Sequence, residues 1–212
     1  MIISIGIQCT VSSFKNNISK THTLPFDWML SNPKFVYEML VLLLRDNIDI
    51  EDLVKNYFFK CEDKCIFKCV EKYYTSCNGN ALLNKKYDVI FPHDVHNTDT
   101  INKYIRRFER LKDLILNSPE DLIFVYCSQS SLENGNFTID DHEVVKDVYF
   151  YLSQIYTLIK EYRQRFKMIV FDSIQTEDPS TLNENIMLTK LNKCNIWPEL
   201  VSQMNSYIHL FI

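Results

Sequence analysis

Glycine is scarce in this chain, with three residues in 212, and proline is little commoner at six. Phosphate-cradling loops need glycine wherever backbone amides must approach a pyrophosphate closely, so nucleotide chemistry of that kind is poorly supplied. An excess of positive charge is missing too: 23 lysines and arginines face 27 aspartates and glutamates, for a net charge of −4. That balance argues against a dedicated nucleic-acid binder, and no nucleic-acid partner is expected. Long apolar runs are absent. The most hydrophobic stretch, Tyr37 to Asp46, falls well short of the ~20 residues of a membrane span, so no membrane partner is expected either. The start MIISIGIQ lacks the basic lead and long apolar run of a secretory signal. The seven cysteines are therefore expected as thiols in a reducing cytoplasm, and their odd number fits.

What is present is an ordinary globular composition, 46% hydrophobic and 24% charged, with no segment that reads as a flexible linker. One domain spanning residues 1–212 is the expectation. Ile2 to Ile5 reads as a short buried strand ended by Gly6, and Gln8 to Asn17 as a helix or helical turn that begins at the cysteine. In SNPKFVYEMLVLLLRD, Asn32 and Pro33 open a helix whose apolar positions Phe35, Met39, Leu42 and Leu43 follow helical spacing. Residues 58–90 are strand-like and irregular, with a turn at Cys77 to Asn80. A second amphipathic helix follows Asn97 or Thr98 as cap, burying Ile101, Tyr104, Ile105, Phe108, Leu111, Leu114 and Ile115. DLIFVYC and KMIVFD, separated by a helix expected from about Asp140 to Arg165, read as strands of a parallel sheet. The fold class is thus α/β: three layers, a mostly parallel sheet flanked by helices, with an irregular β insertion around residues 58–90. In such folds sites collect at the carboxyl ends of the strands, where Cys9, His93, Ser128 and Asp172 all fall.

Cys9 lies just beyond a strand, at a helix start. There the helix dipole and free backbone amides stabilise a thiolate, as a cysteine nucleophile requires. The same amides suit a developing oxyanion, with the Gln8 side chain an additional donor. In FPHDVHN, Pro92 favours an extended neighbour, so His93 begins a loop from which it could take the thiol proton. Asp94, Asp27 or Asp172 could fix the imidazole tautomer, although adjacent residues on an extended chain point opposite ways. The plainer alternative is that Cys9 fills a core and that His93 and Asp94 cap a turn. LPFDWML brackets Asp27 with aromatics, a low-dielectric setting in which a carboxylate needs a donor, from a histidine or backbone amides. Cys61, Cys65, Cys69 and Cys77 are close enough in sequence for zinc, but they lack paired Cys-x-x-Cys spacing, so no metal or other cofactor is assigned. Arg106, Arg107 and Arg110 read as a solvated helix face paired with nearby acids.

Taken together, SIGIQCTVSSFKNN, LPFDWMLSNPKFVYEML, YDVIFPHDVHNTDTINKYIRRFERL and DLIFVYCSQS resemble a family of uncharacterised proteins described as putative papain-like cysteine peptidases, found in bacteria and large DNA viruses. Gly6 and Cys9, Pro25 to Trp28, His93 and Asp94, and Arg106, Arg107 and Arg110 carry the resemblance, which covers the chain to about Ser130. It implies a site with Cys9 as nucleophile and His93 as base. Papain-like enzymes place the cysteine on a helix and the base on a strand of an antiparallel sheet. This chain reads instead as strand, then cysteine, then β-helix-β passages, an order also similar to SGNH-type esterases. Those use a serine and a late Asp-x-x-His, which is absent here; the nearest later histidine is His142. The expectation is a thiol-dependent hydrolase or transferase acting on a protein or acyl substrate. The opposing class is a non-enzymatic interaction or regulatory module, viral or otherwise, on the same scaffold.

Overall fold

The computed structural model describes residues 1–6, 9–18, 22–29, 31–59, 66–67, 81–84, 89–91, 94, 97–128, 147–173, 178–192, 197–207 and 209. In chain order the elements are β1 (Ile2–Ser4), α1 (Cys9–Ile18), α2 (Pro33–Leu40), α3 (Ile50–Leu53), β2 (Ile66–Phe67), β3 (Ala81–Asn84), β4 (Val89–Phe91), α4 (Thr98–Asn117), β5 (Leu122–Cys127), α5 (Val148–Tyr162), β6 (Phe166–Asp172), β7 (Met187–Lys190) and α6 (Trp197–Ser206). The continuous apolar runs become central strands because they are covered on both faces. β1, β5, β6 and β7 form a four-stranded sheet in that order, every neighbouring pair parallel. The expected α/β architecture is therefore present.

Strand alternation sorts the core into two layers. Ile123, Val125, Cys127, Ile169 and Phe171 meet Val11 and Phe14 of α1 and Leu200, Val201 and Met204 of α6. Phe124, Tyr126, Met168 and Val170 face the larger core built with α2, α4 and α5. Asn32 caps α2 by accepting from the Phe35 amide at 2.9 Å, and Asn97 caps α4 by accepting from Thr100 at 2.8 Å. The buried guanidinium of Arg163 donates to the carbonyls of Leu114 and Ser118, at 3.2 and 2.9 Å, so a cation lies at the negative end of α4.

The region around residues 58–90 holds a separate antiparallel sheet, β2-β3-β4, with Leu82 opposite Phe91 and Asn84 opposite Val89. Phe58 does not begin it. α3 continues into a wide π-helical turn, Val54–Phe58. The Phe58 ring is fully buried there, its centroid 5.0 Å from Phe91 and Phe108 and 4.9 Å from Tyr104. Its strand preference yields to burial, as context-dependent β propensity allows. α5 also departs from expectation: it begins at Val148, because Asp147 sits in the left-handed region at φ 64° and interrupts any helix arriving from Asp140. The turn at Cys77 to Asn80 lies outside the described residues, as does His142.

Candidate functional site

α1 starts at Cys9, a short step past the carboxyl end of β1, and has no acidic residue in its first turn. The step passes Gly6, and only glycine suits that position. A Cβ there would lie 2.9 Å from the Cys127 backbone nitrogen and 3.3 Å from Tyr126 Cα. Ser31 donates to the Gly6 carbonyl at 3.2 Å. The start of the cysteine helix is thus pressed against the end of β5. Cys9 is described only as the first residue of α1, and Gln8 and His93 lie outside the described residues.

The Pro25–Trp28 turn is built around a buried ion pair. Lys15 Nζ donates to Asp27 Oδ2 at 2.8 Å, both side chains being only 2% exposed. Oδ2 also accepts the Leu24 amide at 2.8 Å, and Oδ1 accepts the Ser12 hydroxyl at 3.2 Å. The acid flanked by aromatics therefore does find donors, one of them the predicted backbone amide. The main partner is a lysine of the cysteine helix, and a charge this deep survives only when paired. Ser12 Oγ also accepts the Trp28 amide at 3.1 Å, which holds Trp28 in the left-handed region at φ 64°. That conformation costs a non-glycine residue about 1–2 kcal/mol. On its other side the turn reaches α4. The Phe26 ring stacks edge-on against Phe108 at 6.0 Å, and Arg110 donates to the Thr23 carbonyl at 2.7 Å. Arg110 is thus no solvated bystander, and Arg107 lies over the Tyr104 ring at 4.8 Å.

Asp94 is buried between β4 and α4. It accepts from Tyr104 Oη at 2.7 Å and from Lys103. Burial, reinforced by the Asp94 charge, pushes the Tyr104 phenol well above its ordinary range. The third candidate acid, Asp172, ends β6 and accepts from Ser128 Oγ at 2.7 Å and from Tyr149 Oη. Ser128 Oγ in turn accepts the Ser173 amide at 2.8 Å. Cys127 beside it is fully buried, and burial with the nearby Asp172 charge pushes its thiol up, leaving it protonated and unreactive. Each candidate carboxylate thus engages described donors from its own neighbourhood.

Sequence reasoning missed Lys15 and Ser12 as partners of Asp27, because helical spacing marks them only as polar positions on α1. It also missed β7 and α6. Between α1 and α6 lies a cleft of about 510 Å³, with Trp28 in its lining. Among the described residues no three His, Cys, Asp or Glu side chains cluster as a metal site would require. Cys61, Cys65, Cys69 and Cys77 lie outside those residues. No described helix is long and apolar enough to cross a membrane.

The sequence model of one family, described as "Putative papain-like cysteine peptidase (DUF1796)", matches residues 1–154. No curated protein matches the chain, and no solved structure does.

Proposed function

Since the chain belongs to that family of putative papain-like cysteine peptidases, we propose that it is a thiol-dependent hydrolase with Cys9 as nucleophile and His93 as base. The observation that carries this reading is the start of α1 at Cys9, a few residues after a strand of the parallel sheet. A ten-residue helix with no acid in its first turn offers the thiolate its positive end. The small antiparallel sheet supports it further. In sequence His93 follows the last residue of β4 by two positions, so the chain combines a cysteine at a helix start with a histidine that comes just after an antiparallel strand in the sequence.

In the proposed reaction His93 takes the Cys9 proton as the sulfur attacks a substrate carbonyl carbon. The backbone amides opening α1, with Gln8, hold the oxyanion. Collapse breaks the carbonyl-to-leaving-group bond, and the imidazolium returns its proton to the departing amine or alcohol. Water, deprotonated by His93, then attacks the thioester, releasing the acid and restoring the Cys9 thiol. Asp94, next to His93 in sequence and held to α4 through Tyr104 and Lys103, acts as a positioning residue. Asp27 acts as a positioning residue: through Lys15, Phe26 and Arg110 its turn bridges the cysteine helix to α4, the helix that follows His93. A protein or acyl substrate in a reducing cytoplasm fits this chemistry.

Iodoacetamide labelling followed by peptide mapping tests the dyad. Cys9 should react at neutral pH at least ~10-fold faster than a cysteine of the urea-unfolded chain, and His93→Gln should remove the advantage. Cys127, buried and protonated, is the internal control and should stay unlabelled in the native protein. Equal rates for folded and unfolded Cys9 would remove the basis for the nucleophile.

A further inference from the structure

The cleft between α1 and α6 is unusual in what lines it. Ser13, Asn16 and Asn17 of α1 form one wall, Pro198, Val201, Ser202 and Asn205 of α6 the other, and Trp28 completes the lining. Among the described residues no ionisable side chain lines it. Val11, Phe14 and Ile18 turn the opposite stripe of α1 into the core, which leaves the hydrogen-bonding stripe outward. Asn205 carries a second signal: its side-chain oxygen is buried and has no hydrogen-bond partner among the described residues. Buried polar atoms are rarely left unpaired, and Asn205 is itself one of the residues that line the cleft.

Helical spacing connects the cleft to the proposed nucleophile. Ser13 and Asn16 follow position 9 at i+4 and i+7, one stripe of the same helix. At ~1.5 Å per residue, Asn17 lies about 12 Å along the axis from position 9. An extended chain rising ~3.3 Å per residue covers that distance in about four residues.

We propose that the α1/α6 cleft is a binding groove for an extended peptide of about four uncharged residues, lying along α1 beside Cys9. The inference deepens the hydrolase reading, and it adds that α6 shapes the groove from outside the family-matched residues 1–154. Amide and hydroxyl side chains pair with peptide N–H and C=O groups, and Asn205 accepts an N–H. The uncharged lining disfavours an ionised ligand, whose charge would lose water without gaining a partner.

The test does not depend on Cys9 chemistry. In a Trp197→Phe background, Trp28 fluorescence of the full chain is titrated with the acetylated, amidated tetrapeptide Ala-Ser-Asn-Gln. A saturable change is expected, with affinity weakened at least ~10-fold by Ser202→Phe, which fills the groove from an exposed position, and by an Asp- or Lys-containing tetrapeptide. Absence of saturation, an unchanged affinity in Ser202→Phe, or binding of a neutral oligosaccharide such as maltotetraose in place of the peptide would each overturn the proposal. Cys9 labelling, run on the same samples, reports the hydrolase reading separately. A reactive Cys9 without peptide binding defeats the groove alone, and peptide binding beside an inert Cys9 defeats the hydrolase alone.

Discussion

Replacing Lys15 or Asp27 should destabilise the protein more than any surface ion pair could. Lys15→Met leaves the Asp27 carboxylate with the Leu24 amide and the Ser12 hydroxyl but no counter-charge. Asp27→Asn leaves an ammonium only 2% exposed with neutral acceptors, such as the His22 carbonyl at 3.1 Å, but no counter-charge. Stranding one charge of a buried pair costs about 3–5 kcal/mol. Against a total stability of roughly 5–15 kcal/mol, that loss is large. The double variant strands neither charge, and the side-chain amide oxygen introduced by Asp27→Asn can still accept from the Leu24 backbone N–H. It should cost no more than either single change, so the two effects should fall short of additivity by about 3 kcal/mol or more. Urea unfolding followed by circular dichroism measures this as a midpoint lowered by roughly 1–2 M in each single variant, with the slope unchanged. Because Ser12 ties Asp27 to the Trp28 amide, each single change should also shift Trp28 emission. Additivity within about 0.5 kcal/mol would refute the reasoning, since it would mean that the two groups do not share one energetic unit.

Three further expectations follow from the packing. The native chain keeps the protons of Cys127 and Tyr104 at pH values where the unfolded chain has lost them. Stability should therefore be full below the thiol's ordinary pKa of 9.0 and fall above it. Each group adds a slope of up to about 1.4 kcal/mol per pH unit. Cys127→Ala should flatten the first part of that decline in urea midpoints taken between pH 8 and 10, and parallel profiles for the two proteins would contradict this. Gly6→Ala drives a Cβ against the backbone of Cys127 and Tyr126, and should cost about 1–3 kcal/mol while slowing Cys9 labelling. A melting temperature unchanged from the parent would count against that contact. Phe58→Ala empties the centre of the aromatic cluster of Phe35, Phe59, Phe91, Tyr104 and Phe108, and should cost about 3–5 kcal/mol by calorimetry or urea melt. A loss below about 1 kcal/mol would mean that the ring is not enclosed as described.

What could be read in the chain was whatever short-range chemistry controls. The apolar runs at Leu122–Cys127 and Met168–Phe171 are strands because neither carries a charged side chain and both are buried throughout. Asn32 and Asn97 cap helices because a side-chain oxygen three residues ahead of an orphan amide is a local matter. The cysteine at the opening of α1 was legible for the same reason. Its position depends on where a strand stops and a helix begins.

Tertiary structure decided the partners. Lys15 and Asp27 are separated by a loop, and no periodicity announces that the lysine of α1 reaches back to the acid between two aromatics. Phe58 has the composition of a strand residue and the environment of a core centre, and the environment prevailed. Ser128 and Asp172, far apart in sequence, meet because β5 and β6 are adjacent and parallel, so their carboxyl ends coincide. The cleft lined by α1 and α6 needed two helices from opposite ends of the described chain to be folded against one another. Helix starts and strand ends are written in neighbouring residues. Charge pairs, clefts and buried rings arise only where distant segments exclude water together.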